Sequence, residues 1–315
     1  MKTLPCELAC RLEEGELEAR WLIDGLWSER AVGIVGGEPK CCKSFLALDM
    51  AVSVASGRPC LRRFAVRRPG PVLVYAAEDP LHVVRARLCG IARAAGVSFD
   101  ELDVHVITVP RLRLDDDEDR GRLRETVATL RPRLLVLDPF VRLHRVDENV
   151  AAEVAPLLES LRVLERRFEL AVVLVHHARK GAGGVRGGQA LRGSSELHAW
   201  GDSNLYLRRR DRNLLLSVEH RAAASSQGEL ALELREDGDA LALHVLEEQA
   251  RPPAVRPSPA DRVLEALDGT DRALSARELR ELCRMRTSAL TGALSTLVEQ
   301  ELVRREDGGY RLAGT

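Results

Sequence analysis

No apolar run in this sequence reaches the length needed to cross a membrane, and its opening, MKTLPCELACRLEEGELEAR, is too acidic for a signal or transit peptide. The expectation is a cytoplasmic protein. Nor does one sign of charge dominate: 47 basic side chains stand against 48 acidic ones, a formal net charge of −1. No global field draws such a chain to nucleic acid or membrane, so any such binding must come from local patches. The seven cysteines, an odd number in scattered positions, do not make a disulfide framework and fit a reducing compartment. Internal repeats and extended low-complexity tracts are absent too.

What the chain does have is material for a core. At 45% hydrophobic and 30% charged over 315 residues, it suits one large domain with a smaller one, or two of medium size. Between residues 31 and 176, apolar β-branched runs alternate with helical patterns. AVGIVGG, PVLVYAAED, DVHVITVP, PRLLVLDPF and ELAVVLVHH read as strands. KSFLALDMAVSVASG, LHVVRARLCGIARAAG and segments near 117–130 and 151–167 read as helices. Continuous apolar strands separated by helices predict an α/β fold whose mostly parallel sheet is covered on both faces.

After residue 177 the rhythm changes. HARKGAGGVRGGQALRGSS is glycine-rich, basic and aperiodic, too long for an ordinary connection. SNLYLRRR and NLLLSVEHR form an expected hairpin, followed by two more alternating runs, and EQARPPAVRPSPA (248–260) is a proline-rich linker. The remainder, 261–315, predicts three helices, the second opened by a Ser275–Glu278 capping box, and then a hairpin around Asp307-Gly308-Gly309. That order resembles a winged helix-turn-helix, with a protein–protein or oligomerisation module as the other reading.

The chemistry starts at GGEPKCCKSF, residues 36–45. A phosphate-binding loop reads G-x-x-x-x-G-K-[ST]; here Gly37, Glu38, Pro39, Lys40, Cys41, Cys42, Lys43 and Ser44 fill that frame, with Cys42 in place of the second glycine. Such a loop works because backbone N–H groups wrap a phosphate at a helix N-terminus, a lysine adds charge and a hydroxyl binds Mg²⁺. A strand before and a helix after are both expected. LLVLDPF ends a strand at Asp138, the pattern that holds Mg²⁺ in nucleotide enzymes, and VLVYAAEDP places Glu78 and Asp79 at another strand end. Ligands of open α/β sheets bind at carboxyl ends of strands, where Lys43, Glu78, Asp138 and His177 are expected to converge. Cys42 predicts weaker or altered phosphate binding, since a Cβ there costs about 1 kcal/mol or more. A thiol at a helix N-terminus is also expected to have a lowered pKa. Trp21 and Trp27 are read as covers for the core edge, one of them available to an adenine base.

GEPKCCKS, the glutamate of YAAED, LLVLDP, VVLVHH and the loop beyond it together resemble the RecA-like core of plasmid RepA-type hexameric helicases, an AAA family ATPase, over roughly residues 20–225. The resemblance implies a RecA-like P-loop ATPase domain at 28–247, with residues 1–27 packing on it, and ATP and Mg²⁺ as cofactors. It implies that Lys43 and Ser44 hold triphosphate and Mg²⁺, that Asp138 organises the metal, that Glu78 polarises water and that His177 senses the γ-phosphate. Adjacent strand residues face opposite ways, so His176 is expected to point elsewhere, which also argues against a zinc pair. A basic finger from a neighbouring subunit is further implied: Arg221 matches its position, Glu219 standing where a lysine belongs, and Arg208 is the second candidate. The loop carrying Lys180, Arg186 and Arg192 corresponds to one facing a central channel. It has no aromatic residue, so its contact with single-stranded DNA would be electrostatic; a lid over the nucleotide is the other reading. The reading is an ATP-hydrolysing, ring- or filament-forming homo-oligomer acting on DNA. A nucleotide-gated DNA-binding regulator with weak or no hydrolysis, and an assembly ATPase acting on protein, are its rivals.

Overall fold

The computed structural model describes residues 6–11, 21–177, 195–210, 213–221, 228–238, 240–246, 259–268, 270, 272–283, 285, 287–300, 302–306 and 308–313. They fall into two compact units, Met1–Glu247 and Glu248–Thr315.

The first unit opens with two short strands, β1 (Trp21–Ile23) and β2 (Trp27–Ser28). Strands and helices then alternate: β3 (Val32–Gly37), α1 (Lys43–Ser56), β4 (Val72–Ala76), α2 (Leu81–Ala94), β5 (Val104–Val106), α3 (Asp117–Leu130), β6 (Leu134–Asp138), α4 (Ala151–Phe168) and β7 (Ala171–His177). After α5 (Ser195–Trp200) come β8 (Ser203–Arg210), β9 (Asn213–His220), β10 (Leu230–Asp237) and β11 (Ala240–Val245). The strands from β3 onward form one sheet in the order β11-β10-β9-β8-β3-β7-β6-β4-β5. Its pairs from β5 through to β8 are parallel and those beyond are antiparallel.

Alternation explains why the central strands are apolar throughout. Val35, Val72, Val74, Leu134, Val136 and Val173 point to the face covered by α1 and α2. Val32, Ile34, Leu73, Leu135, Leu137 and Val172 point to the other, against Leu123 and Val127 of α3 and Leu157 and Leu161 of α4. A strand buried on both sides has no position to spare for a polar residue.

The sequence places β8 only in a hairpin with β9. The hairpin is there, and the other edge of β8 runs parallel to β3, with Val35 opposite Leu205 and Gly37 opposite Leu207. Glycine makes that approach possible. A Cβ on Gly33 would lie 1.7 Å from the Ser203 carbonyl oxygen, and one on Gly37 would lie 2.2 Å from that of Leu207. The pairing sets β8 beside the loop that leaves β3.

The second unit contains α6 (Pro259–Asp268), α7 (Ala276–Leu282), α8 (Thr287–Glu299) and the antiparallel pair β12 (Val303–Glu306) and β13 (Gly309–Leu312). Val263, Leu267, Leu279, Leu294, Leu297 and Val303 make its own core. Ser275 and Glu278 form a complete capping box at the start of α7.

Candidate functional site

Residues 38–42 connect β3 to α1 in a tight loop at the carboxyl edge of the sheet. Lys40 (φ 64°) and Cys42 (φ 59°, ψ 26°) are both left-handed, a conformation that costs a residue with a Cβ roughly 1–2 kcal/mol. Cys42 is also the N-cap of α1, makes no side-chain cap bond, and is followed by a first turn with no acidic residue. The helix therefore brings neither a capping oxygen nor an anion of its own to its positive end, which suits that end to an anionic ligand.

Lys43, the first residue of α1, is only 5% exposed, and its Nζ donates to the Glu38 carbonyl oxygen at 2.7 Å. Burial lowers its pKa, opposed by the negative groups around it, Asp138 and Glu78 among them. A buried ammonium held by one carbonyl has capacity for an anion. Asp138 ends β6 and is likewise buried. Burial lifts its carboxyl to about 6, while a hydrogen bond from the Ser44 hydroxyl and the Lys43 charge act against the lift. A hydroxyl beside a desolvated carboxylate is a set of hard oxygen donors and fits Mg²⁺ completed by phosphate and water oxygens. Among the described residues no group of three or more His, Cys, Asp or Glu could hold a metal ion. A cation at Ser44 and Asp138 thus fits one that arrives with a phosphate ligand.

Glu78 lies just beyond β4, which pairs directly with β6 so that Ala76 sits opposite Asp138. It is exposed, and its Oε1 accepts from Arg142 Nε at 2.8 Å. Asp79 is ion-paired with Arg87. His177 ends β7 in register with Gly37 and is half-buried. His176 takes the opposite face and is buried, with Nδ1 4.0 Å from Glu148 Oε1. His144 Nε2 is 3.3 Å from the same oxygen, and the Phe140 ring packs against both imidazoles. Burial pushes the Glu148 carboxyl up, but the hydrogen bond from His144 and the charges of His176, His144 and His177 outweigh it and hold the group below its ordinary value.

The two finger candidates sit differently. Arg208 is bound through Nε and Nη2 to Glu229 at 2.6–3.1 Å. Arg221 donates to the Ala199 carbonyl and lies 3.4 Å from Asp202, whose backbone N–H binds the Val32 carbonyl. Val32 begins β3, so Arg221 is at the end of the sheet opposite its own phosphate loop and does not serve it. Lys180, Arg186 and Arg192 lie outside the described residues.

One expectation is corrected and another narrowed. Burial raises the Cys42 thiol above its ordinary pKa, because desolvation of the thiolate outweighs the attraction of Arg209, Lys43 and Arg87. Trp27 is wholly buried, its indole donating to Ala31 O at 3.3 Å, which leaves Trp21, half-buried, as the tryptophan with surface for a base.

Two arginines at the site carry no signal in the sequence. Arg142 holds Glu78, and Arg209 Nη2 donates to the Lys40 carbonyl of the phosphate loop at 3.2 Å. Arg209 sits in a run of three arginines that strand pairing alone tells apart.

Residues 8–183 match the family model described as an AAA domain. Among solved structures, one described as an ATPase domain aligns with a TM-score of 0.53 at 12% identity, covering 69% of this chain and 86% of that chain. The first unit has the architecture of a RecA-like P-loop core.

Proposed function

The chain belongs to the AAA domain family, and on that premise we propose that it binds and hydrolyses ATP with Mg²⁺, as a cytoplasmic homo-oligomer that couples turnover to DNA. The observation that carries the reading is the convergence of Lys43, Ser44 and Asp138, two of them buried, at an anion-receptive helix end. In this reading Lys43 and the N–H groups of residues 38–44 hold the phosphates. Ser44 and Asp138 hold Mg²⁺, which when bound neutralises phosphate charge. Glu78 takes the proton of the attacking water, and His177 reads the outer phosphate from the end of β7. Arg221 reaches into the site of the next subunit, as its place at the far end of the sheet allows, with Arg208 the second candidate. The domain division we propose is an N-terminal segment at 1–27, the ATPase at 28–247, a linker at 248–260 and a winged helix-turn-helix at 261–315. The RepA-type helicase group is the subgroup its motifs fit, and Lys180, Arg186 and Arg192 are the proposed contacts to single-stranded DNA.

A second reading is favoured by one contact. Arg142 occupies a carboxylate oxygen of Glu78, and a guanidinium partner makes that carboxylate a weaker base toward water. In that reading the protein is a nucleotide-gated DNA-binding regulator with weak or no hydrolysis.

Steady-state ATP turnover of the reduced full chain, with and without single-stranded DNA, separates the two. The enzyme reading expects turnover that rises with DNA, loss of nucleotide binding in Lys43→Ala, and retained binding with roughly a hundredfold slower turnover in Glu78→Gln. Nucleotide binding without turnover in either condition would establish the regulator instead. Normal turnover in both variants would remove the site assignment.

A further inference from the structure

We propose that Arg209 acts in cis as a phosphate-contacting residue of the nucleotide site, its guanidinium serving the outermost phosphate. The proposal rests on the nucleotide reading above and adds to it a residue that neither the phosphate-loop motif nor a neighbouring subunit supplies.

The argument begins with the sheet. Because β8 runs parallel to β3 and pairs Leu207 with Gly37, the next residues of β8 continue past the point where β3 turns into the phosphate loop. Arg208 and Arg209 therefore flank the loop from opposite faces of the strand. Arg208 turns away and is bound by both oxygens of Glu229. Arg209 turns toward the loop: its Nη2 donates to Lys40 O at 3.2 Å, and its positive charge is the largest stabilising influence on a Cys42 thiolate. Its backbone also interacts with the Cys41 sulfur.

The Arg209 guanidinium is bonded to a neutral carbonyl, and the residue is exposed, so a modest rotation of a long side chain frees it for a charged partner. A planar guanidinium binds phosphate oxygens in pairs, and charge-assisted bonds of that kind are roughly twice as strong as neutral ones. Lys43 serves the loop from the helix side, deep and buried, whereas Arg209 approaches from the opposite, solvent side at Lys40. The phosphate it would join is the outer one, beside Lys43 and His177. A second cation also answers the substitution at Cys42, where the loop carries a Cβ in a left-handed conformation.

The test is equilibrium binding of a non-hydrolysable ATP analogue and of ADP, each with Mg²⁺, to the full chain. Wild type is compared with Arg209→Ala, Arg209→Lys, Arg210→Ala and Lys43→Ala, with the thermal midpoint of each recorded. The proposal expects Arg209→Ala to weaken the triphosphate about tenfold and ADP less than about threefold. Arg209→Lys should recover part of the loss, and Arg210→Ala, an exposed residue at the end of the same strand, should change neither. Equal weakening of both nucleotides with a lowered midpoint would mean Arg209 merely braces the Lys40 turn, and would overturn the proposal. So would unchanged binding in Arg209→Ala beside a wild type that binds and a Lys43→Ala that does not. A wild type that binds neither nucleotide would take down the nucleotide reading and this inference together.

Discussion

Cys42 carries a local cost that its neighbours do not explain away. Its φ of 59° puts a Cβ against the following backbone, and its side chain makes no capping bond in return. The residue that would relax this is glycine, but glycine also loses about 1 kcal/mol through its greater freedom in the unfolded chain. The two effects nearly cancel. Cys42→Gly should therefore leave stability within about 1 kcal/mol of wild type while tightening nucleotide binding, because the loop closes without strain. Cys42→Val should lose about 2 kcal/mol or more, since a β-branched side chain is worst placed in that conformation. Thermal denaturation with a nucleotide titration checks both, and a Val variant as stable as wild type would show that the left-handed turn is not enforced. The same scale explains what the sequence conceals. The motif frame identifies Lys43 and Ser44, because spacing alone places them at a helix start. The charge facing the Cys42 thiol and the partner of Glu78 come from residues more than about sixty positions away, Arg209 and Arg142, and no local pattern points to them.

Elements are legible where their signal is periodic. The strands around β3, β6 and β7 announce themselves by unbroken apolar runs, and α1 by a face that ends at Gly57, left-handed at φ 73°. The pairing of β8 with β3 is not, because alternation reports which face of a strand is buried and says nothing of what lies along its edge. Gly33 is the clue to it: it leaves room for the Ser203 carbonyl. In the second unit, the capping box of α7 is fully readable and makes a prediction about acid. The Glu278 carboxyl is brought down to about 2, first by the hydrogen bond from Arg272 and then by the backbone and hydroxyl of Ser275. The unfolded chain holds that proton more tightly than the folded one. The stabilisation is thus complete above the ordinary value of 4.5 and is lost as the pH falls toward 2. Ser275→Ala should cost this unit about 1 kcal/mol at neutral pH. Glu278→Gln should flatten the decline that wild type shows between about pH 5 and about 3. Melts of helical circular dichroism across that range decide it; an unchanged acid slope in Glu278→Gln would mean that the Glu278 carboxylate contributes nothing to the box.

At the scale of the whole molecule, the two units have separate cores with no residue in common, Leu22 through Leu243 in the first and Val263 through Val303 in the second. Cooperative unfolding follows shared packing, so a chain with two closed cores should melt in two steps. Only the first core is built around the carboxyl edge that carries Lys43, Ser44 and Asp138, so only that step is linked to nucleotide. A ligand at about a hundred times its dissociation constant stabilises its own folding unit by about 2.7 kcal/mol. For a unit of this size that is a rise of roughly 5–10 °C. Calorimetry of the full chain with Mg²⁺ and a non-hydrolysable ATP analogue should show one transition moving by that amount while the other stays. The second transition should instead respond to acid through Glu278. A single transition that moved as a whole would mean the units unfold together, and nucleotide occupancy would then be felt at the C-terminal helices as directly as at the loop. Two transitions with only one shifted would show that the two cores unfold independently. In that case nucleotide and acid act on different parts of the chain, the first through Lys43, Ser44 and Asp138 and the second through Glu278.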